Sequence, residues 1–149
     1  MILLGIDPGS KGAMCIMPSS LEWVRFIDYD LDNYAEYLRT VTGNSIAIVE
    51  RVHAMPGQGV KSMFSFGQRL GEIEGLLRAF KIPYQLVPPK EWQKECGIAP
   101  KSDKKAIAEV LKKLYPQVDL YGARGGLQDG KSDALGLAHY ARLKYGKDN

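Results

Sequence analysis

Three acidic residues stand where acids are costly. Asp7 closes the apolar run ILLGI, and Glu50 closes a second apolar run, SIAIV. Asp133 lies in DGKSDALGLAHYA with Leu137 and Tyr140 on its helical face, so its carboxylate points toward the apolar side. Asp129, four residues earlier, shares that face if the helix begins early enough. Each acid alone has an ordinary reading. Asp7 can be a turn residue before Pro8-Gly9-Ser10, Glu50 a surface strand end, and Asp133 a first-turn acid favoured by the helix dipole. Their coincidence points elsewhere. A carboxylate at a buried edge is costly unless it is paired or holds a metal, and three or four cannot all stay ionised side by side without cations. Two Mg²⁺ ions about 3.5–4 Å apart would relieve the repulsion and stabilise the attacking and leaving oxygens of phosphodiester hydrolysis. Mg²⁺ accepts such oxygen ligands, completing its shell with water and substrate phosphate. Mn²⁺ is expected to substitute for it.

The elements that must position these acids follow from periodicity. Ile2–Asp7, Gly12–Met17 and Glu22–Ile27 are short apolar runs separated by turn signals, which predicts an antiparallel meander. Leu31–Val41 has helical spacing, and Ser45–Glu50 is a β-branched strand. Val60–Lys81 predicts a long helix with the stripe Met63, Phe66, Leu70, Ile73, Leu77 and Phe80. Pro83–Val87 reads as a short strand stopped by Pro88-Pro89. Ser102–Tyr115 and Lys131–Tyr145 read as helices, the first capped by Ser102, and Tyr121–Lys131 as a flexible loop between them. The expected class is α/β: three antiparallel strands, then parallel strands, in a mixed sheet flanked by helices.

Composition sets outer bounds. At 149 residues the expectation is one domain spanning 1–149. With 45% hydrophobic and 25% charged residues, disorder is disfavoured. No apolar run approaches the roughly 20 residues that cross a bilayer, and the N-terminus lacks a basic leader, so the expected setting is soluble and cytoplasmic, without a membrane partner. Cys15 and Cys96 have no metal-binding spacing, and Cys15 reads as a small core residue. A net charge of +3 means that nucleic-acid binding would need a local patch.

Four segments carry a family resemblance: GIDPGSKG, the strand ending in VERVHAMPGQG, the helix FSFGQRLGEIEG, and KSDALGLAHYA. Together and in this order they resemble the RuvC-type Holliday junction resolvases, most of all the compact RuvC-like proteins of phages and prophages. The resemblance covers most of the chain. It implies an RNase H-like fold and a Mg²⁺-dependent endonuclease, a homodimer acting on four-way DNA junctions. Carried over residue by residue, Asp7, Glu50 and Asp133 become metal ligands. One departure stands out: the family often has an acid or His three residues before the last Asp, and Gly130 occupies that position. Asp129, displaced by one, is the candidate fourth ligand. Lys131 and His139 are further candidates to meet the phosphate or leaving group, with a plain surface role as the alternative for each.

Candidate DNA contacts surround these acids. The stretch Lys90–Lys113 holds Lys90, Lys94, Lys101, Lys104, Lys105, Lys112 and Lys113, diluted by Glu91, Glu95, Asp103 and Glu109. A solvated face is the default for such a run. PPKEWQK nevertheless sets Trp92 among lysines, and Arg51 directly follows Glu50. With Lys61 these residues are expected to line a phosphate track. His53 and Phe64 are candidates to touch unstacked bases at a junction centre, with a core position as the alternative for Phe64. Gly67, Gly71 and Gly75 recur every four residues along the long helix. Each costs roughly 1 kcal/mol relative to Ala. A rail of this kind allows close approach by the domain's own sheet or, as the resemblance suggests, by a twin helix across a two-fold axis.

Two other functions fit parts of the pattern. G-x-D-x-G-S-x-G also resembles a phosphate loop of sugar- and acetate-kinase-like ATPases, but those need two such lobes, and no nucleotide cofactor is expected here. A non-catalytic RNase H-like nucleic-acid-binding module would have no need of buried carboxylates near phosphate.

Overall fold

The computed structural model describes residues 1–52, 57 and 59–146. Its strands are β1 (Ile2–Ile6), β2 (Ala13–Pro18), β3 (Arg25–Asp28), β4 (Ser45–Glu50) and β5 (Tyr84–Val87). Its helices are α1 (Leu31–Thr40), α2 (Val60–Ala79), α3 (Pro89–Glu95), α4 (Lys104–Leu114) and α5 (Asp129–Tyr145). The strands form one sheet in the order β3-β2-β1-β4-β5. β1 pairs antiparallel with β2 and parallel with β4, β2 pairs antiparallel with β3, and β4 pairs parallel with β5. The expected mixed sheet is therefore present, with its parallel half at the β4 side.

The central strands are apolar on both faces because both faces are covered. Leu3, Cys15, Met17 and Ile48 face a core shared with α3, α4 and α5. Leu4, Ile6, Met14, Ile16, Ala47 and Val49 face a second core with α1 and α2. Gly5 sets the height of α5 over the sheet. A Cβ at Gly5 would lie 2.2 Å from the Ala134 carbonyl oxygen and 2.3 Å from the Ala138 nitrogen, so only glycine lets the helix backbone rest on β1.

Several boundaries differ from those expected. Pro88 and Pro89 stop β5 at Val87 as expected, but they also begin the helix α3, which was not expected. Pro at a first helical position has no N–H to leave unpaired. β3 is shifted to Arg25–Asp28 by pairing that runs from Ala13 opposite Asp28 to Ile16 opposite Arg25. α4 is capped by Asp103, whose side chain accepts from the Ala106 N–H, instead of by Ser102. α5 begins at Asp129, taking the end of the expected loop into its first turn, and Tyr121 and Leu127 form a β-bridge in the remainder.

The stripe of α2 packs only over its second half. Ile73 and Leu77 are buried, while Val60 is 85% and Phe64 72% exposed. Phe64 is thus a surface residue. Gly67, Gly71 and Gly75 are exposed, and among the described residues no atom outside the helix's own backbone lies within 4 Å of a Cβ built on any of them. Their rail faces away from the domain's own sheet.

Candidate active site

The parallel register brings two acids together. Ile6 lies opposite Val49, so the next residues, Asp7 and Glu50, leave adjacent strand ends side by side. The two-residue period of a strand turns both toward the α5 face. Asp133, in the first turns of α5, comes down onto them because Gly5 lets that helix approach. The three residues offer carboxylate oxygens that all lie within 4.8 Å of one another.

Local chemistry holds each acid. The Gly9 N–H donates to Asp7 Oδ1 at 2.9 Å, an Asx turn that orients the carboxylate. Gly12 closes the same loop, since a Cβ there would stand 1.9 Å from the Asp7 carbonyl oxygen. Arg69 of α2 donates through Nε to the Pro8 carbonyl at 2.8 Å. The indole Nε1 of Trp92 donates to Glu50 Oε2 at 2.9 Å.

The electrostatics match the crowding. Burial and the Asp7 charge push Glu50 up to about 7, against which the Trp92 bond works. Burial, then the charges of Glu50, Asp7 and Asp129, push Asp133 up to about 8. Asp7 is also raised, chiefly by burial, although the Gly9 N–H opposes this. Carboxyls that resist ionisation together near neutral pH suit a divalent cation, whose charge would replace the missing protons. An all-carboxylate oxygen donor set suits a hard ion such as Mg²⁺ or Mn²⁺.

Asp129 stands outside this three-acid group. It is the first residue of α5, and its Oδ2 accepts a hydrogen bond from Lys104 of α4. Lys104 holds the Asp129 carboxyl below the usual carboxylate range, and its charge also reaches Asp133 and Asp7. Beside Asp129 opens a polar cleft of about 460 Å³, lined by Lys11, Asp28 and Lys131 among others.

The other expected site residues divide clearly. Arg51, Lys61, Phe64, Lys90 and Lys94 are exposed. His53 lies outside the described residues. Lys131 is half-buried, with its ammonium 5.8 Å from the centre of the Phe26 ring. Two expectations are corrected. Trp92 is wholly buried, so it offers no face to a nucleic acid, and its polar edge serves Glu50. His139 is neither at the acids nor on the surface. It is buried, and its Nδ1 lies 2.7 Å from the Tyr115 hydroxyl. Sequence reasoning missed Arg69 as the anchor of the Asp7 turn. Lys104 was seen only as one lysine of a basic run; its place as the first residue of α4 gave no sign of Asp129.

No family model matches the sequence, and no curated protein matches it. Solved structures do match in fold. A Thermus thermophilus RuvC structure superposes with a TM-score of 0.64 over 97% of this chain and 97% of that one, at 15% identity. T. thermophilus RuvC in complex with a Holliday junction substrate gives 0.63 over 98% of each chain, at 12% identity. The fold is RuvC-like. The expected RNase H-like architecture therefore stands on structural likeness. In this RuvC-like sheet the acids gather at the carboxyl ends of β1 and β4, where open α/β sheets place their ligands.

Proposed function

We propose that this chain is a divalent-metal-dependent endodeoxyribonuclease that cuts branched DNA, four-way junctions above all, and works as a homodimer. The observation that carries this reading is the group Asp7, Glu50 and Asp133, two buried carboxylates at the strand ends of a RuvC-like sheet and a half-buried one on α5, in mutual reach. These three would hold the metal, with Asp129, whose charge reaches Asp7 and Asp133, as a candidate fourth carboxylate. Two Mg²⁺ ions, when bound, would supply an activated water and charge stabilisation at the leaving oxygen.

The chain's own groups do the rest. The Gly9 N–H and Trp92 orient Asp7 and Glu50 before substrate arrives. Arg51, Lys61, Lys90 and Lys94, all exposed, are free to contact backbone phosphates in this reading. Lys104 can exchange Asp129 for a phosphate oxygen at low cost, because an exposed ion pair is worth about 0–1 kcal/mol. Phe64 at the start of α2 presents a face on which an unpaired base can stack, which favours branched over fully paired DNA. The open glycine rail of α2 gives a second copy a surface on which to dock, and paired sites suit paired cuts in a symmetric substrate. No helix among the described residues is long and apolar enough to cross a membrane. The reading places the chain in the cytoplasm of a bacterium or a phage-infected cell, with its DNA.

The test is incubation with a synthetic four-way junction and matched duplex, with and without Mg²⁺. Symmetric nicks in the junction alone, only with metal, are expected. Equal cutting of duplex would overturn the substrate class, and cutting in EDTA would overturn the metal site.

A further inference from the structure

Trp92 joins two of the acid-bearing elements. Its Nε1 donates to Glu50 Oε2 at 2.9 Å, from a ring with no exposed surface. The opposite edge of the ring lies on Gly136 of α5, three residues beyond Asp133. A Cβ at Gly136 would stand 2.3 Å from Trp92 Cζ3 and 2.8 Å from Cε3. Cys96, just past the end of α3, reinforces the seat by donating through Sγ to the Gly136 carbonyl at 3.4 Å. An indole N–H is a donor only, so the sense of its bond to a carboxylate is fixed. The Glu50 carboxylate retains lone pairs for other partners once Trp92 has taken one.

We propose that Trp92 is a positioning residue for metal binding: its N–H orients the Glu50 carboxylate, and its ring, seated on Gly136, sets the distance between Glu50 and Asp133. The inference rests on the metal-site reading and adds a residue to it. Donors that orient metal-ligating groups from behind change affinity by roughly 10–100-fold when removed. The fit at Gly136 gives the ring a second task. A residue that merely filled space would not need a polar edge aimed at the one buried carboxylate of β4.

The test measures Mn²⁺ binding to the full chain without DNA, by the electron paramagnetic resonance signal of free Mn²⁺. Trp92→Phe keeps an apolar ring between β4 and α5 but removes the N–H and shortens the edge that meets Gly136, so both positioning contacts are weakened; it is expected to weaken Mn²⁺ binding by roughly 10–100-fold. Cys96→Ala disturbs the contact between α3 and α5 without touching Glu50 and is expected to bind Mn²⁺ within about twofold of wild type, a gap set by that same 10–100-fold range. Wild-type affinity in Trp92→Phe overturns the inference, and so does an equal loss in Cys96→Ala, since packing alone would then account for both. Should Trp92→Phe fail to fold, the wild-type chain supplies the readout. Its Trp92 indole N–H resonance, assigned by its survival in Trp23→Phe, must shift on Mg²⁺ addition, and a resonance that stays still overturns the inference. A wild-type chain that binds no Mn²⁺ overturns the metal site as well.

Discussion

At the scale of single residues, repulsion among Asp7, Glu50 and Asp133 affects stability and cleavage in opposite directions. Asp133 is the acid most opposed to ionisation, through burial and through Glu50 and Asp7. Asp133→Asn keeps its shape and removes its charge. In EDTA at pH 8 the variant is therefore expected to melt a few degrees above wild type, the shift that about 1 kcal/mol gives in a chain of this size. With Mg²⁺ and a four-way junction it should lose cleavage by about 10³-fold or more, a several-kcal/mol loss of transition-state stabilisation. Thermal melts and gel assays of one preparation check both. A melt unchanged in EDTA would mean that the acids are not in conflict.

His139 supports a separate prediction about acid. Burial, then the charge of Arg142, lowers it from 6.5 to about 4 in the folded chain. The unfolded chain thus binds the extra proton between pH 6.5 and 4, so stability is full above pH 6.5 and falls as pH drops through that window. The loss approaches about 3 kcal/mol by pH 4. His139→Asn, whose side-chain amide can hydrogen-bond Tyr115 in either sense, should flatten this slope. Urea unfolding at pH 7 and pH 4.5 measures it, and an equal slope in both chains would remove His139 as the cause.

At the scale of elements, Gly5 is the position where sheet and helix set the site together. Gly5→Ala drives a Cβ into the backbone of α5 at Ala134 and Ala138, and backbone cannot rotate away. The variant is expected to lose about 3 kcal/mol or more of stability. Asp133 immediately precedes Ala134, so Mn²⁺ affinity should fall with it. Urea denaturation and metal titration test the pair, and a stable variant with native metal affinity would show that α5 has slack.

Elements and acids were legible in the sequence to different degrees. β1 and β4 could be read because β-branched and apolar residues run unbroken until an acid ends each, which also gave Asp7 and Glu50. α5 was visible in its periodicity, but its first turn was not, because GLQDGK carries turn residues that tertiary packing of Gly130 against the Lys11 carbonyl overrides. α3 was hidden by Pro88-Pro89, which stop a strand and start a helix by the same fixed geometry. The partners of Trp92 and Lys104 lie 42 and 25 residues away in sequence, and no local spacing encodes contacts of that range.

At the scale of the whole molecule, the acids and the exposed start of α2 leave one outer face of that helix unexplained by the protomer itself. Gly67, Gly71 and Gly75 weaken α2, and among the described residues nothing outside the helix's own backbone lies within 4 Å of a Cβ at any of them. In the dimer reading they let two α2 helices approach closely and set two sites for two cuts. Gly71→Leu separates the costs. A Cβ at Gly71 meets nothing within 4 Å among the described residues outside the helix's own backbone, and the helix gains somewhat less than the roughly 0.8–1 kcal/mol that Ala would give over Gly, so the isolated fold should be as stable as wild type or more so. A close helix pair has no such room. Wild type is expected to sediment as a dimer and Gly71→Leu as a monomer, with Mn²⁺ affinity unchanged because Asp7, Glu50 and Asp133 are untouched. On a junction the variant should accumulate singly nicked product, since its two cuts no longer come from coupled sites. A wild-type monomer, with or without junction, would overturn the dimer; a Gly71→Leu dimer that still makes paired cuts would move its seam off the rail.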